Sequence, residues 1–137
     1  MSTEELIPLL EREHNALLET LKLLEEAIFR KDAKAAWGIV DGIDETLVQH
    51  MIDEEANLLK TLIQVFGKEG SMESIEIFRE HVDIDAMIRE MKKSIADVRT
   101  DQERLLSDLG TLLSAHFRKE HEKVFPCALE ASRRLFG

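Results

Sequence analysis

The sequence predicts an all-α protein, an up-down-up-down four-helix bundle built from two repeated helix pairs. Four long stretches carry apolar residues at helical spacing, short polar breaks separate them, and the second half repeats the first. Composition agrees. The 137 residues are 44% hydrophobic and 34% charged, with two prolines and no tyrosine, in proportions that favour helix over strand. The length suits one domain over residues 1–137.

The first helix starts near Ser2 or Thr3. Ser2 and Glu5 form a capping-box pattern, and Pro8 falls near the first turn. Leu6, Leu10, His14, Leu17, Leu21, Leu24 and Ile28 make its inner stripe, which stops at "RKDAK". The second helix runs from about Asp32, its cap, to Phe66. Its stripe is Val40, Ile43, Leu47, Met51, Leu58 and Leu62. Gly38 and Gly42 weaken its start by about 1 kcal/mol each relative to alanine, unless they admit a close neighbouring helix.

"GKEGS" at 67–71 is the clearest break, and Ser71 can cap the third helix, about 72–98. Its stripe is Ile77, His81, Ile84, Ile88, Met91 and Ile95. Thr100 and Glu103 form a second capping-box pattern ahead of the fourth helix, about 101–135. There Leu105, Leu109, Leu112, His116, Glu120, Val124 and Cys127 are expected inward, and Pro126 should kink the helix or end its regular part.

The charge and cysteine content narrow the function. A net charge of −10 argues against nucleic acid and anionic membrane surfaces as partners. The lone Cys127 rules out an intramolecular disulfide and points to a reducing, cytoplasmic setting. "MSTEELIPLL" is acidic and unlike a signal peptide, and no apolar run approaches the roughly 20 residues of a membrane span.

The repeat carries the chemistry. "REHNALLETLKLL" opens one half and "REHVDIDAMIREM" the other. His14 is followed 36 residues on by His50, and His81 is followed after a nearly equal interval by His116. Each second histidine has a glutamate four residues later, in His50/Glu54 and His116/Glu120. Residues four apart share a helix face, so these groups join the inner stripes. Four imidazoles and two carboxylates turned inward need partners, because each costs several kcal/mol to bury alone. They either bond one another as a polar layer or bind metal. A single H-x-x-x-E is common by chance, but two matched copies, each with a further upstream histidine, favour a dinuclear metal site. Imidazole is a good terminal ligand for iron, zinc, copper or manganese, and a central glutamate can bridge two cations with its two oxygens.

The segments "REH" at 12–14, "HMIDEE" at 50–55, "REH" at 79–81 and "HFRKEHEKVFP" at 116–126 resemble the hemerythrin-like, HHE cation-binding domains. The resemblance runs from about Glu11 to Pro126. It implies a non-haem di-iron centre in a four-helix bundle, with the irons joined by an oxo or hydroxo group; manganese and zinc suit the same donors. By this resemblance one iron takes His14 and His50, the other takes His81 and His116, and Glu54 and Glu120 bridge them. The oxygen-carrying hemerythrins have a fifth histidine four residues after the third, where this chain has Asp85. Asp85 shares a face with His81 and can either reach the metal or sit in water on the helix flank. As a ligand it would add negative charge, favour the ferric state and weaken reversible O₂ binding.

His121 lies five residues past His116, off the ligand face, and is expected behind the ligands or at the surface. Cys127 is expected as a small core residue, and Trp37 and Phe125 as packing. Three functions fit: a protein that binds or senses O₂, NO or peroxide at the dinuclear centre; an iron-dependent enzyme or iron donor, in iron–sulfur repair or peroxide reduction; or a metal-free helical interaction module. Paired E-x-x-H motifs of the ferritin-type oxidases are missing, and without tyrosine there is no tyrosyl-radical chemistry within the chain. No protein partner is legible.

Overall fold

Four rods of helix, two of them carrying a π-helical turn at the level of the predicted ligands, make up the computed structural model, which describes residues 1–137. Helix α1 spans Thr3–Phe29 and α2 spans Ala33–Asp53. A π-helical turn, Glu54–Leu59, joins α2 to α3, Lys60–Gly70. Helix α4 spans Met72–Ala96 and α5 spans Gln102–Lys119. A second π turn, Glu120–Val124, leads into α6, Phe125–Phe136. The paired helices run α1–α2–α4–α5 around the bundle, and α3 packs on α6 beyond the π turns. No helix is long and apolar enough to cross a membrane.

Helix ends follow local chemistry, with two departures. The Ser2 side chain accepts a hydrogen bond from the Glu5 backbone N–H, and Asp32 accepts one from that of Ala35, as their cap positions require. Ser71 occupies its cap position without a side-chain bond, and the Thr100–Glu103 box does not form. Instead Asp101 caps α5 by position, and its carboxylate accepts from Ser94 and Arg99 across the α4–α5 loop. The mid-chain break falls on Gly67, whose φ of 73° and ψ of 173° interrupt α3 just after Phe66. Gly38 and Gly42 face solvent, and a Cβ on either would meet nothing within 4 Å. They admit no close helix, contrary to the alternative reading.

The core is split in two. One cluster of 18 buried residues includes Leu17, Leu24, Ile43, Ile88, Leu109 and Leu113. A second, of 11, includes Leu10, Leu58, Phe78, Val124 and Ala128. Between them lies the layer of His14, His50, Glu54, His81, His116 and Glu120, all buried.

The π turns explain why the inner stripe stays inward across this layer. Residues 50, 54, 58 and 62 are buried, as are 116, 120, 124 and 128. Three successive four-residue steps would carry an ideal α-helix about 120° off its face. A π turn takes up roughly one extra residue and restores the phase. The same shift corrects one expectation: Ala128 is buried in α6, and Cys127 is exposed. Leu113, not Leu112, is the fully buried residue of its turn. Pro126 stands just after the second π turn, so the regular α-helix is interrupted there, as a missing N–H requires, and resumes in α6.

Candidate metal centre

Each histidine of the layer is delivered by a different rod: His14 by α1, His50 by α2, His81 by α4 and His116 by α5. Glu54 and Glu120 stand at the first residue of the two π turns. All four Nε2 atoms approach the two carboxylates. His14 Nε2 lies 3.2 Å from Glu120 Oε1 and 3.0 Å from His50 Nε2. His50 Nε2 is 3.5 Å and His81 Nε2 3.3 Å from Glu54 Oε1, and His116 Nε2 is 3.4 Å from Glu120 Oε1.

His14 and His50 share a hydrogen bond, but the approaches to the carboxylates do not make aligned ones. Both oxygens of Glu54, both of Glu120 and both ring nitrogens of His81 are buried without a hydrogen-bond partner. A polar layer built for its own bonding would not leave them so, because each such group costs about 1–3 kcal/mol, and more when charged. The donors fall into two groups, His14/His50/Glu54/Glu120 and Glu54/His81/His116/Glu120, each with its ligand atoms within 4.8 Å of one another. Both groups contain the same two glutamates. Two imidazoles and two carboxylates suit a borderline divalent cation, and cations would satisfy the orphaned oxygens. The residues present therefore fit a metal.

The electrostatics agree. Burial, with Glu120 adjacent, pushes the Glu54 carboxyl well above its usual range. Burial also opposes ionisation of Glu120, yet Glu54, His116 and His14 hold it below that range. Two carboxylates at one buried point cannot both stay charged without a cation. Burial, helped by the charge on His116, pushes His81 down to about 4, so its ring is neutral at pH 7 and ready to ligate. Burial lowers His50 as well.

Sequence reasoning overlooked the residues behind the ligands. His50 Nδ1 donates to Glu13 Oε1 at 2.9 Å, and His116 Nδ1 donates to Glu80 Oε1 at 2.8 Å. With the proton on Nδ1, His50 Nε2 presents its lone pair to the centre; His116, which Glu120 and Glu80 raise against the effect of burial, would give up its Nε2 proton when a cation binds. Glu13 and Glu80 are the middle residues of the two "REH" segments, so each motif supplies a histidine and an acid that orients the histidine of the next helix. Lys119 Nζ holds the other oxygen of Glu80 at 2.6 Å. The repeat of "REH" was the available signal.

Six of the seven predicted site residues converge. Asp85 is not among them. It is half-buried on the flank of α4, and Arg89 one turn on holds its Oδ2 at 2.9 Å. His121 is exposed and faces Glu11 Oε2 at 3.8 Å. Phe125 is buried with its ring stacked towards His14, 5.7 Å between centroids. Trp37 is half-exposed, with Lys92 Nζ 5.8 Å from its ring centre.

No curated protein and no solved structure matches the chain. The sequence profile described as the hemerythrin HHE cation binding domain matches residues 5–128, which include all six converging residues. That match spans most of the chain and all four rods, so the chain belongs to the hemerythrin HHE cation-binding domain family.

Proposed function

We propose that this chain, as one hemerythrin-like domain, holds two iron ions bridged by Glu54 and Glu120 and uses them to bind or sense O₂, NO or peroxide. His14 and His50 would hold one ion, and His81 and His116 the other. The observation that carries the reading is the sharing of two orphaned glutamates by both donor groups. When bound, the irons would supply a redox-active pair with a coordination position for a small ligand.

The chain's own residues do the rest. Glu13 and Glu80 fix the tautomers of His50 and His116. Phe117 stacks on His14 with 3.9 Å between centroids and a 9° tilt, and this shields the ring from water. Two apolar clusters, one on each side of the layer, keep the dielectric low, which strengthens the attraction of the carboxylates for cations. With Asp85 paired to Arg89, the ligand set is four imidazoles and two carboxylates. A position left for an external ligand favours binding and sensing over a closed structural site.

The test is an anaerobic ferrous loading followed by O₂, NO or peroxide, monitored by optical spectroscopy. A spectral change that reverses on removing O₂ or NO is the expected result. Irreversible oxidation with steady consumption of peroxide would replace the proposal with a peroxide-reducing enzyme. A chain that takes up no iron would leave a helical interaction module.

A further inference from the structure

Resting on this dinuclear reading, we infer that the two cation positions are unequal: the His81–His116 position binds a divalent cation more tightly than the His14–His50 position, because Glu55 follows one bridging glutamate and His121 follows the other. The internal repeat allows the two environments to be compared residue for residue. His50 and Glu54 align with His116 and Glu120, and Glu55 aligns with His121.

At the His81–His116 position, an acid stands behind both rings. Glu80 Oε1 accepts from His116 Nδ1 at 2.8 Å, and Glu55 Oε1 lies 3.5 Å from His81 Nδ1. At the His14–His50 position, an acid stands behind one ring only. Glu13 accepts from His50 Nδ1 at 2.9 Å, whereas His14 has its only carboxylate approach at Nε2. Aromatic cover does not separate the two positions: His14 lies against Phe117 and Phe125, and His81 stacks on Phe78 with 5.3 Å between centroids. His121, where an acid would complete the symmetry, is turned to Glu11.

A carboxylate behind a ligating histidine raises the donor strength of its near nitrogen, and removing a hydrogen-bonded one costs about 10–100-fold in metal affinity; Glu55, at 3.5 Å without an aligned bond, acts on His81 by its charge and stands at the low end of that range. Glu13 and Glu80 roughly offset each other, at 2.9 and 2.8 Å from their rings, with Lys119 drawing on the charge of Glu80. Glu55 against His121 is the unmatched pair. The side chains of Glu55 and His121 are 51% and 67% exposed, so changing either leaves the core packing intact.

The experiment titrates the metal-free full chain with Co(II) under argon, following visible absorption and electron paramagnetic resonance. Wild type should load in two steps separated by about tenfold or more in affinity. The signal of an isolated Co(II) should peak near one equivalent and fall as the second ion couples to it. Glu55→Ala should weaken the first step by about tenfold and bring the steps together. His121→Glu should strengthen the second step and also bring them together. Loading of both ions in one step in wild type, or two steps unmoved by both substitutions, overturns the inequality and leaves the dinuclear reading standing. A wild-type chain that binds no Co(II) overturns both.

Discussion

Replacing Glu54 with glutamine should stabilise the metal-free chain and destabilise the metal-loaded one. Glu54 and Glu120 are 0% exposed, and none of their four oxygens has a hydrogen-bond partner. Glutamine keeps the shape and presents a neutral donor to Glu120 without the proton that Glu54 must take up to be buried beside it. A buried group left unsatisfied costs about 1–3 kcal/mol, so relieving one carboxylate should gain about that much. For a chain of this size 1 kcal/mol moves Tm by about 4 °C, which makes the expected rise about 4–12 °C. With metal present the sign reverses. A ligand at a hundred times its Kd adds about 2.7 kcal/mol per site, and the glutamine chain loses that gain at both positions because they share Glu54. Thermal melts followed by far-ultraviolet circular dichroism, once with chelator and once with excess divalent metal, read both effects. A glutamine chain that melts lower than wild type in chelator would refute the reasoning. The carboxylates would then serve the bundle as a polar layer, and metal would have no part in explaining their burial.

Three further outcomes follow from the same structure. Gly42→Ala should raise stability by about 0.5–1 kcal/mol, because the residue is helical and exposed and its added Cβ meets nothing within 4 Å; a urea titration reads the shift. The Ser94 hydroxyl, with Arg99, holds Asp101 below its ordinary value of 3.8. A carboxylate lowered on folding adds stability that is present above its unfolded pKa and lost as pH falls through the folded one, so Asp101→Asn should flatten the loss of urea stability below about pH 4. Glu80→Ala should lower divalent-metal affinity by about 10–100-fold, measured by competition with a chromogenic chelator, with circular dichroism unchanged.

The four rods and the six-residue layer were legible because their signals are periodic. Leu6 to Ile28 and Ile77 to Ile95 are buried along the whole predicted stripe, and Phe66 ends its helix where Gly67 turns the backbone. Past Glu54 and Glu120 the reading weakened, since a strict 3.6-residue period has no place for a π turn. Such a period places Cys127 inside, although the run of four-residue steps through 116, 120, 124 and 128 marks the extra residue. The Thr100–Glu103 box illustrates a different limit: a local pattern lost to Ser94 and Arg99, which reach Asp101 from another helix and loop. Asp85 sits one turn from His81 as the spacing requires, yet Arg89, one turn further on, captures its carboxylate. Glu13 and Glu80 escaped notice because their partners, His50 and His116, lie 37 and 36 residues away.

Metal content per chain, measured after anaerobic iron loading and desalting for wild type and for Glu54→Ala, tests the shared-bridge account most directly. The account predicts two irons in wild type and none in the variant, because both positions depend on the one carboxylate. A wild-type chain that retains no iron, or a variant that keeps two tightly held ions, would contradict it.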